Sequence, residues 1–558
     1  MKRHRRTLLF LILFGFWTAA AVAGDSYRGE STISRIDEAY RAGRLSAGDR
    51  IFHNMQALFA PDELPPEFRT AVTGVIKSGT EYVIEARNSW DLMSPDQQTA
   101  VNQYLSRPPV DTTHYSPSGF FAIHYDTSGA EAVPPADDDF SGVPDYVERI
   151  GLYMDSAHQH YQTSLGFYPP PPDGDTLYDV YLLKIGAYGI TQPENPGDSA
   201  WTDFSSYMMI HCSFQGFPPN DDPEGDVIGA QKVTCAHEFF HATQLAYDMN
   251  EQLWWMECTA VYMEEHLFPE VNDNYGYLPD FFDYPHYHLT ANSSHMYATF
   301  IWTSYLVENY GIGLLRPIFE YCRFYSALPS TDSILINFGT SVQLEFPRFA
   351  LWNYFTGERG GDPVYHDSGA AYPTVLIDQS DLVFPFVDTV IPVNAPDGLG
   401  ANYIMSAIAP DTNGFAMLLF DGSDAVRWGL TCLSYPIGGG IEISSFETDF
   451  HGRTDDGIYD FGRLDSLLFI PAVVSPWQEE NHYNFSVAVK PFGDVDASGE
   501  VNILDIVYLI NYKYKMGPAP VYDTRLSDAN CDGVINILDI IFLITHKYKD
   551  GPAPGPCR

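Results

Sequence analysis

Apolar residues recur at helical spacing along residues 36–60, and the pattern stops at Pro61, Pro65 and Pro66. From Gly119 the period changes. Phe120, Phe121, Ala122, Ile123, His124 and Tyr125 form a strand-like run, and further strand patterns lie at 179–185 and 207–214. Between them Tyr168 is followed by Pro169, Pro170, Pro171 and Pro172, a rigid loop. Helical patterning then dominates from 230 to about 357. Residues 362–492 read as short β-rich runs broken by turns such as Asp421-Gly422 and Gly438-Gly439-Gly440, the pattern of a β-sandwich. Residues 494–554 contain a repeat of period 34, in which 501–520 aligns on 535–554 with 14 of 20 positions identical. That stretch is two copies of one unit.

The first residues stand apart from this pattern. Lys2, Arg3, Arg5 and Arg6 precede an apolar run over 8–17, and Ala21-Val22-Ala23 is a small-residue cleavage site. Residues 1–23 therefore read as a secretory signal peptide. No later stretch approaches the ~18 apolar residues a membrane helix needs, so no membrane span is expected in the mature chain. Residues 24–110 are a pro-segment or an N-terminal helical subdomain. The chain carries 73 acidic and 30 basic residues, a formal net charge of -43. Nucleic acid is excluded as a partner, because phosphate binding needs a basic footprint. The balance suits an extracellular protein that captures cations. Seven cysteines, an odd number without C-x-x-C, argue against a Cys-based zinc site. Cys531 and Cys557 are near enough in sequence to staple the C-terminus.

The chemistry concentrates in Cys235-Ala236-His237-Glu238-Phe239-Phe240-His241. On a helix His237 and His241 lie one turn apart on one face, so both imidazoles reach one zinc ion. Glu238 then stands where it takes a proton from a metal-bound water. Apolar Val233, Phe239, Phe240 and Leu245 mark a buried helix, in which histidine and glutamate demand partners. A third ligand comes from the segment Trp254 to Glu264. Glu257 and Glu264 are seven residues apart and share a helical face. One ligates and the other orients a histidine, with Glu257 the preferred ligand. An ordinary amphipathic helix with polar histidines is the plain alternative.

H-E-x-x-H followed by W-x-x-E-x-x-A resembles the gluzincin clan of zinc metallopeptidases, in the version called peptidase MA-like. Upstream, 121–127 and 142–148 look like secreted bacterial metalloproteases that carry a C-terminal β module. The resemblance covers residues 119–360. It implies His237, His241 and Glu257 as zinc ligands and Glu238 as general base. The family usually has Gly after the ligand Glu, where this chain has Cys258. In such enzymes a strand at the cleft edge pairs with the peptide substrate, and 207–214 is the candidate here. His295 and Tyr297 are candidates for stabilising the oxyanion, against a packed aromatic helix as the alternative.

Three acidic loops follow the twelve-residue calcium template, with oxygens at positions 1, 3, 5, 9 and 12, a carbonyl at 7 and Gly at 6. The first offers Asp137, Asp139, Ser141, Val143, Asp145 and Glu148 around Gly142, with Pro144 departing from the helix–loop–helix pattern. The repeat supplies the other two. One holds Asp494, Asp496, Ser498, Glu500, Asn502 and Asp505; the other holds Asp528, Asn530, Asp532, Val534, Asn536 and Asp539. With Asp at position 12 and only the following helix evident, these two resemble type I-like dockerin modules. The resemblance implies two calcium ions and a cohesin-like partner on a scaffold or surface protein. Ile503-Leu504 and Ile537-Leu538 are the pairs that would select it. A calcium-stabilised cap that binds nothing is the alternative.

The expected architecture is an α+β multidomain chain: signal peptide 1–23, the segment 24–110, a gluzincin-like zinc metallopeptidase domain at 119–360, a β-sandwich at 362–492 and a small all-α dockerin-like domain at 493–556. The expected function is a secreted endopeptidase with one catalytic zinc, two calcium ions in the dockerin-like module and one at 137–148. It acts on protein or peptide and is held at the cell surface or on a scaffold. Two other readings stand beside it. One is a cellulosome-type component that degrades polysaccharide; the other is a non-catalytic surface-binding protein with a structural metal.

Overall fold

Two helices, not one, carry the apolar pattern of residues 36–60: α1 (Thr32–Arg41) and α2 (Ala47–Phe59). Gly43 at φ +68° ends the first turn of chain in the left-handed region. Ser46 opens the second helix with a capping box to Asp49. The computed structural model describes residues 31–555 apart from 71–75, 111, 362–364, 385–389, 409–414, 450, 455–456, 459–462, 477–478 and 521–523. The expected signal peptide and Cys557 lie outside the described residues. The chain forms two units. One contains the residues up to Pro279 with Phe319–Tyr325; the other contains Asp280–Ile318 and the chain from Ser326.

The first unit is built on a six-stranded mixed sheet in the order β1-β5-β6-β4-β3-β2. The strands are β1 (Ile76–Ser78), β2 (Thr112–Tyr115), β3 (Phe121–Tyr125), β4 (Tyr178–Leu183), β5 (Ala187–Pro196) and β6 (Phe204–His211). β3, β4 and β6 run parallel, β5 is antiparallel to β6, and β1 pairs with β5 in parallel. The expected strand at 207–214 is therefore β6, and it is interior, paired by β4 and β5. It is not a cleft edge, because a strand's own alternation does not encode its place in the sheet.

One face of this sheet is covered by α5 (Asp145–His158) and α6 (Asp226–Gln244), where Phe239 meets Phe121 and Tyr178 edge-on. The other face is covered from the N-terminal segment. Ile51, Met55 and Leu58 of α2, Val83 and Ala86 of α3 (Thr80–Asn88) and Val101 of α4 (Pro95–Tyr104) share one core with Tyr181, Ala187, Ile190, Tyr207 and Met209 of the sheet. Each large apolar side chain so buried contributes roughly 1.5–3 kcal/mol. α6 is buried from Gly229 through Gln244 without a break. A second helix, α7 (Leu253–Leu267), is buried from Trp254 through Glu264 and packs against it. A helix buried all round has no solvent face on which to leave its polar side chains. Its histidines and glutamates must be satisfied inside.

The second unit begins with helices, among them Phe300–Tyr310 and Val342–Tyr354, and continues into two sheets. The larger runs in the order β11-β10-β14-β8-β7, from β7 (Gln379–Phe384), β8 (Ile404–Ile408), β10 (Trp428–Pro436), β11 (Glu442–Phe446) and β14 (Leu464–Val473). In the smaller, β9 (Phe415–Gly422) pairs with β12 (Arg453–Thr454), β13 (Gly457–Ile458) and β15 (Tyr483–Lys490). Leu418, Phe420, Phe485 and Val487 from the small sheet share a core with Leu430, Cys432, Leu467 and Phe469 from the large one. The expected sandwich packing is present.

The repeat folds as two loop–helix copies, with helices Ile503–Tyr514 and Ile537–Tyr548 opened by identical capping boxes, Asn502 with Asp505 and Asn536 with Asp539. Val495, Ile506, Leu509, Ala529, Ile540 and Leu543 form its small core. Ile503, Leu504, Ile537 and Leu538 stay about half exposed. Cys531 is in a disulfide. Cys212, Cys235, Cys258, Cys322 and Cys432 remain thiols, all buried.

Candidate metal centre

His237 and His241 project from one face of α6, and Glu257 reaches them from α7. Donor atoms of the three lie within 4.8 Å of one another. Nε2 of His237 is 3.1 Å from Glu257 Oε2, and Nε2 of His241 is 3.4 Å from Glu257 Oε1. None of the three side chains is more than 1% exposed.

The outer partners fix which ring nitrogen faces inward. Gln244 donates its amide to Met256 O and Thr259 Oγ1, both at 2.9 Å, which leaves its Oε1 to accept from His241 Nδ1 at 2.8 Å. Glu264 Oε1 accepts from His237 Nδ1 at 2.6 Å. With Nδ1 the donor on both rings, Nε2 is the atom that each ring turns toward Glu257, and a neutral ring offers a lone pair there. Lone pairs and carboxylate oxygens repel unless a cation stands among them. The buried His241 Nε2 makes no hydrogen bond. The donor set, two imidazoles and one carboxylate with carboxylate and amide partners behind them, fits zinc. Electrostatics agree that positive charge is favoured here. Burial pushes the His237 pKa down, but Glu257 and Glu264 outweigh it and hold it up at about 10, so without a metal a proton takes the cation's place and Nε2 donates to Glu257. Burial pushes Glu257 up, and His241 and His237 overcome that and hold it down at about 2.

Glu238, next along α6, is fully buried. Its Oε2 accepts from Thr191 Oγ1 at 2.7 Å and from Thr80 Oγ1 at 3.1 Å, while its Oε1 makes no hydrogen bond. A Cβ at Gly189 on β5 would stand 2.4 Å from Glu238 Cγ, so only glycine leaves this carboxylate its place. β5 is thus the strand whose residues touch Glu238.

His295 and Tyr297 sit on the helical turn His295–Ala298 of the second unit. His295 Nδ1 donates to Asp280 O at 2.8 Å, and its ring stacks on Phe281 at 5.3 Å. Burial pushes its pKa down to about 4, so the ring is neutral. The centre described above is assembled from the first unit alone.

The three acidic loops share one backbone signature. Positions 4 and 6 are left-handed in each: Phe140 and Gly142, Ala497 and Gly499, Cys531 and Gly533. In the first repeat Asp494, Asp496 and Asp505 gather within 4.8 Å. Gly499 N donates to Asp494 Oδ2 at 2.8 Å, and Asn502 N donates to Asp505 Oδ2 at 2.7 Å. The second repeat copies this, with Gly533 N on Asp528 at 2.8 Å and Asn536 N on Asp539 at 2.7 Å. Ser498 and Asn502 turn toward the Glu500 carbonyl, and Asn536 toward that of Val534. Asn530 and Asp532 are hydrogen-bonded to each other. Burial lifts the Asp494, Asp505 and Asp539 carboxyls above their usual range. In the loop at 137–148 the structure gathers Asp137, Asp139 and Asp145, while Ser141 donates to the Val143 carbonyl. Glu148 lies in the first turn of α5, where its charge acts on Tyr125.

Residues 492–546 match the Dockerin type I domain. The C-terminal repeat is a dockerin module. Dockerin modules bind calcium and pair with a cohesin, and dockerin-bearing proteins are typically extracellular components of cellulosome-type assemblies. Residues 226–325, which include α6 and α7, match a family of unknown function, DUF6055. No curated protein matches the chain. Among the described residues no helix is long and apolar enough to cross a membrane.

Sequence reasoning missed Thr80, Thr191, Gly189 and Lys77, which lie far from the motif in the chain. Gln244 was within reach, being three residues after His241 on the same helix.

Proposed function

We propose that the chain is a zinc-dependent endopeptidase that works outside the cell, from an assembly organised by its dockerin and a cohesin. The observation that carries this is the pair of inward Nε2 atoms converging on Glu257, with Glu238 beside them holding one unbonded oxygen. Zinc bound there supplies Lewis acidity and a water whose pKa is lowered to about 7. The chain's own residues supply the rest. Glu264 and Gln244 hold the two rings in one tautomer. Thr80 and Thr191 anchor Glu238 by Oε2, which leaves Oε1 to take a proton from the nucleophile and return it to the leaving amine. The loop at 137–148 belongs to the same reading as a calcium site that pins it to α5.

The rival is a cellulosome-type component that acts on polysaccharide, or only binds, and keeps its metal for structure. The dockerin fits such a complex directly, and no member of the centre is more than 1% exposed. Metal analysis of the purified protein, joined to assays on casein and on polysaccharide, separates the readings. Zinc with casein cleavage supports the peptidase; zinc with no cleavage of any peptide supports the rival.

Glu238→Gln is expected to retain zinc while peptide hydrolysis falls at least ~100-fold, the scale of losing a general base. Turnover at the wild-type rate would remove Glu238 from the mechanism.

A further inference from the structure

Lys77 lies on β1, in the N-terminal segment, and its side chain is 1% exposed. Its Nζ stands 2.8 Å from Glu264 Oε2, forms an ion pair with Asp273, and lies 4.8 Å from the centroid of the Tyr188 ring. A buried ammonium is costly unless paired, and here two carboxylates and an aromatic face pair it. Glu264 is thereby gripped at both ends, Oε2 by Lys77 and Oε1 by His237 Nδ1.

We propose that Lys77 is a positioning residue of the metal centre, acting through Glu264 on His237, and that β1 is a working part of that centre. The inference rests on reading His237, His241 and Glu257 as a metal site. Four carboxylates (Glu238, Glu257, Glu264 and Asp273) are buried around the centre. Lys77 is the cation that aims Glu264. Without it Glu264 Oε2 loses its ion-pair partner, and the carboxylate is free to turn away from His237. A turned Glu264 no longer holds His237 Nδ1, so the ring is no longer fixed with Nε2 toward Glu257.

Three residues further on, Thr80 reaches the other side of the centre. Its hydroxyl accepts from Thr191 N at 2.8 Å and donates to Glu238. Gly79 N donates to Gly189 O at 2.9 Å, beside the glycine that touches Glu238. The segment 77–80 thus joins the side that orients a ligand to the side that holds the base. A pro-segment that merely shields the site would leave metal affinity unchanged on departure and raise activity. A positioning segment does the reverse.

The test uses the full-length chain. Lys77→Met is expected to weaken zinc binding about tenfold or more, the scale of losing an outer partner. The visible absorption of the cobalt-substituted protein should change with it. Glu264→Gln should weaken zinc comparably on its own, yet add little in the Lys77→Met background, since a neutral amide no longer needs the cation. Lys77→Gln, polar though shorter, supplies the same comparison if the methionine variant is insoluble. Wild-type zinc affinity and cobalt spectrum in the Lys77 variants would overturn the proposal. So would strictly additive losses, or faster hydrolysis than wild type. Absence of zinc from the wild-type protein would instead overturn the metal-site reading itself.

Discussion

Replacing His241 by alanine is expected to empty the centre of zinc and to abolish peptide hydrolysis. The substitution removes one of three donors and leaves His237 and Glu257 to hold the ion alone. It also strands Gln244, whose Oε1 is aimed at His241 Nδ1 while its amide is committed to Met256 and Thr259. The loss should exceed the roughly 10–100-fold that an outer partner is worth. Zinc content after dialysis, measured beside casein cleavage, checks it. Thermal unfolding of the same sample shows whether the helix pair survives. Full zinc occupancy in the variant would mean that the ligand set is wrong.

How far the site was legible follows from where its residues come from. His237, Glu238 and His241 lie within one helix, and Glu257 and Glu264 within the next. Their relations are fixed by helical period and visible as spacing. Packing sets Glu257 and Glu264 apart: Glu257 faces both Nε2 atoms, and Glu264 stands behind His237. Lys77, Thr80, Thr191 and Gly189 were not legible. They meet the centre only because β1 pairs with β5, and a three-residue strand carries no readable period. The same limit explains the strand at 207–214, whose pattern is correct and whose neighbours are set by the whole sheet. The break between α1 and α2 was available in Gly43 and Ser46. The repeat was legible throughout, because two copies of one pattern constrain each other.

Calcium removal is expected to unfold the dockerin module and to abolish capture by a cohesin. Six carboxylates (Asp494, Asp496, Asp505, Asp528, Asp532 and Asp539) converge on two short loops, against a core of only Val495, Ile506, Leu509, Ala529, Ile540 and Leu543 and their partly buried neighbours. So small a core rarely holds a fold without a staple, and the loop charges repel when no cation neutralises them. The caps depend on the same residues. Asp505 and Asp539 close the capping boxes and also occupy the last ligand position of each loop. Circular dichroism of the isolated module should lose most of its helical signal on chelation and regain it with calcium. Unchanged helicity would count against calcium-driven folding. Separately, Leu504→Asp with Leu538→Asp should leave calcium binding intact and abolish capture, since both side chains are about half exposed outside the core. Capture by the double variant would place recognition elsewhere on the module.

The five buried thiols give the folded chain a chemical clock. Burial pushes the Cys212 thiol up to about 11 and Cys432 up to about 12, so neither offers a thiolate near neutral pH. Oxidants and alkylating agents therefore meet unreactive sulfur for as long as the packing holds. Four of these thiols (Cys212, Cys235, Cys258 and Cys322) belong to the first unit, and Cys432 belongs to the second. Cys235 and Cys258 flank His237 and Glu257 in sequence, so their alkylation times the opening of that helix pair, while Cys432 times the sandwich. A mass spectrum taken along such a reaction would separate the breathing of one unit from that of the other without a single substitution.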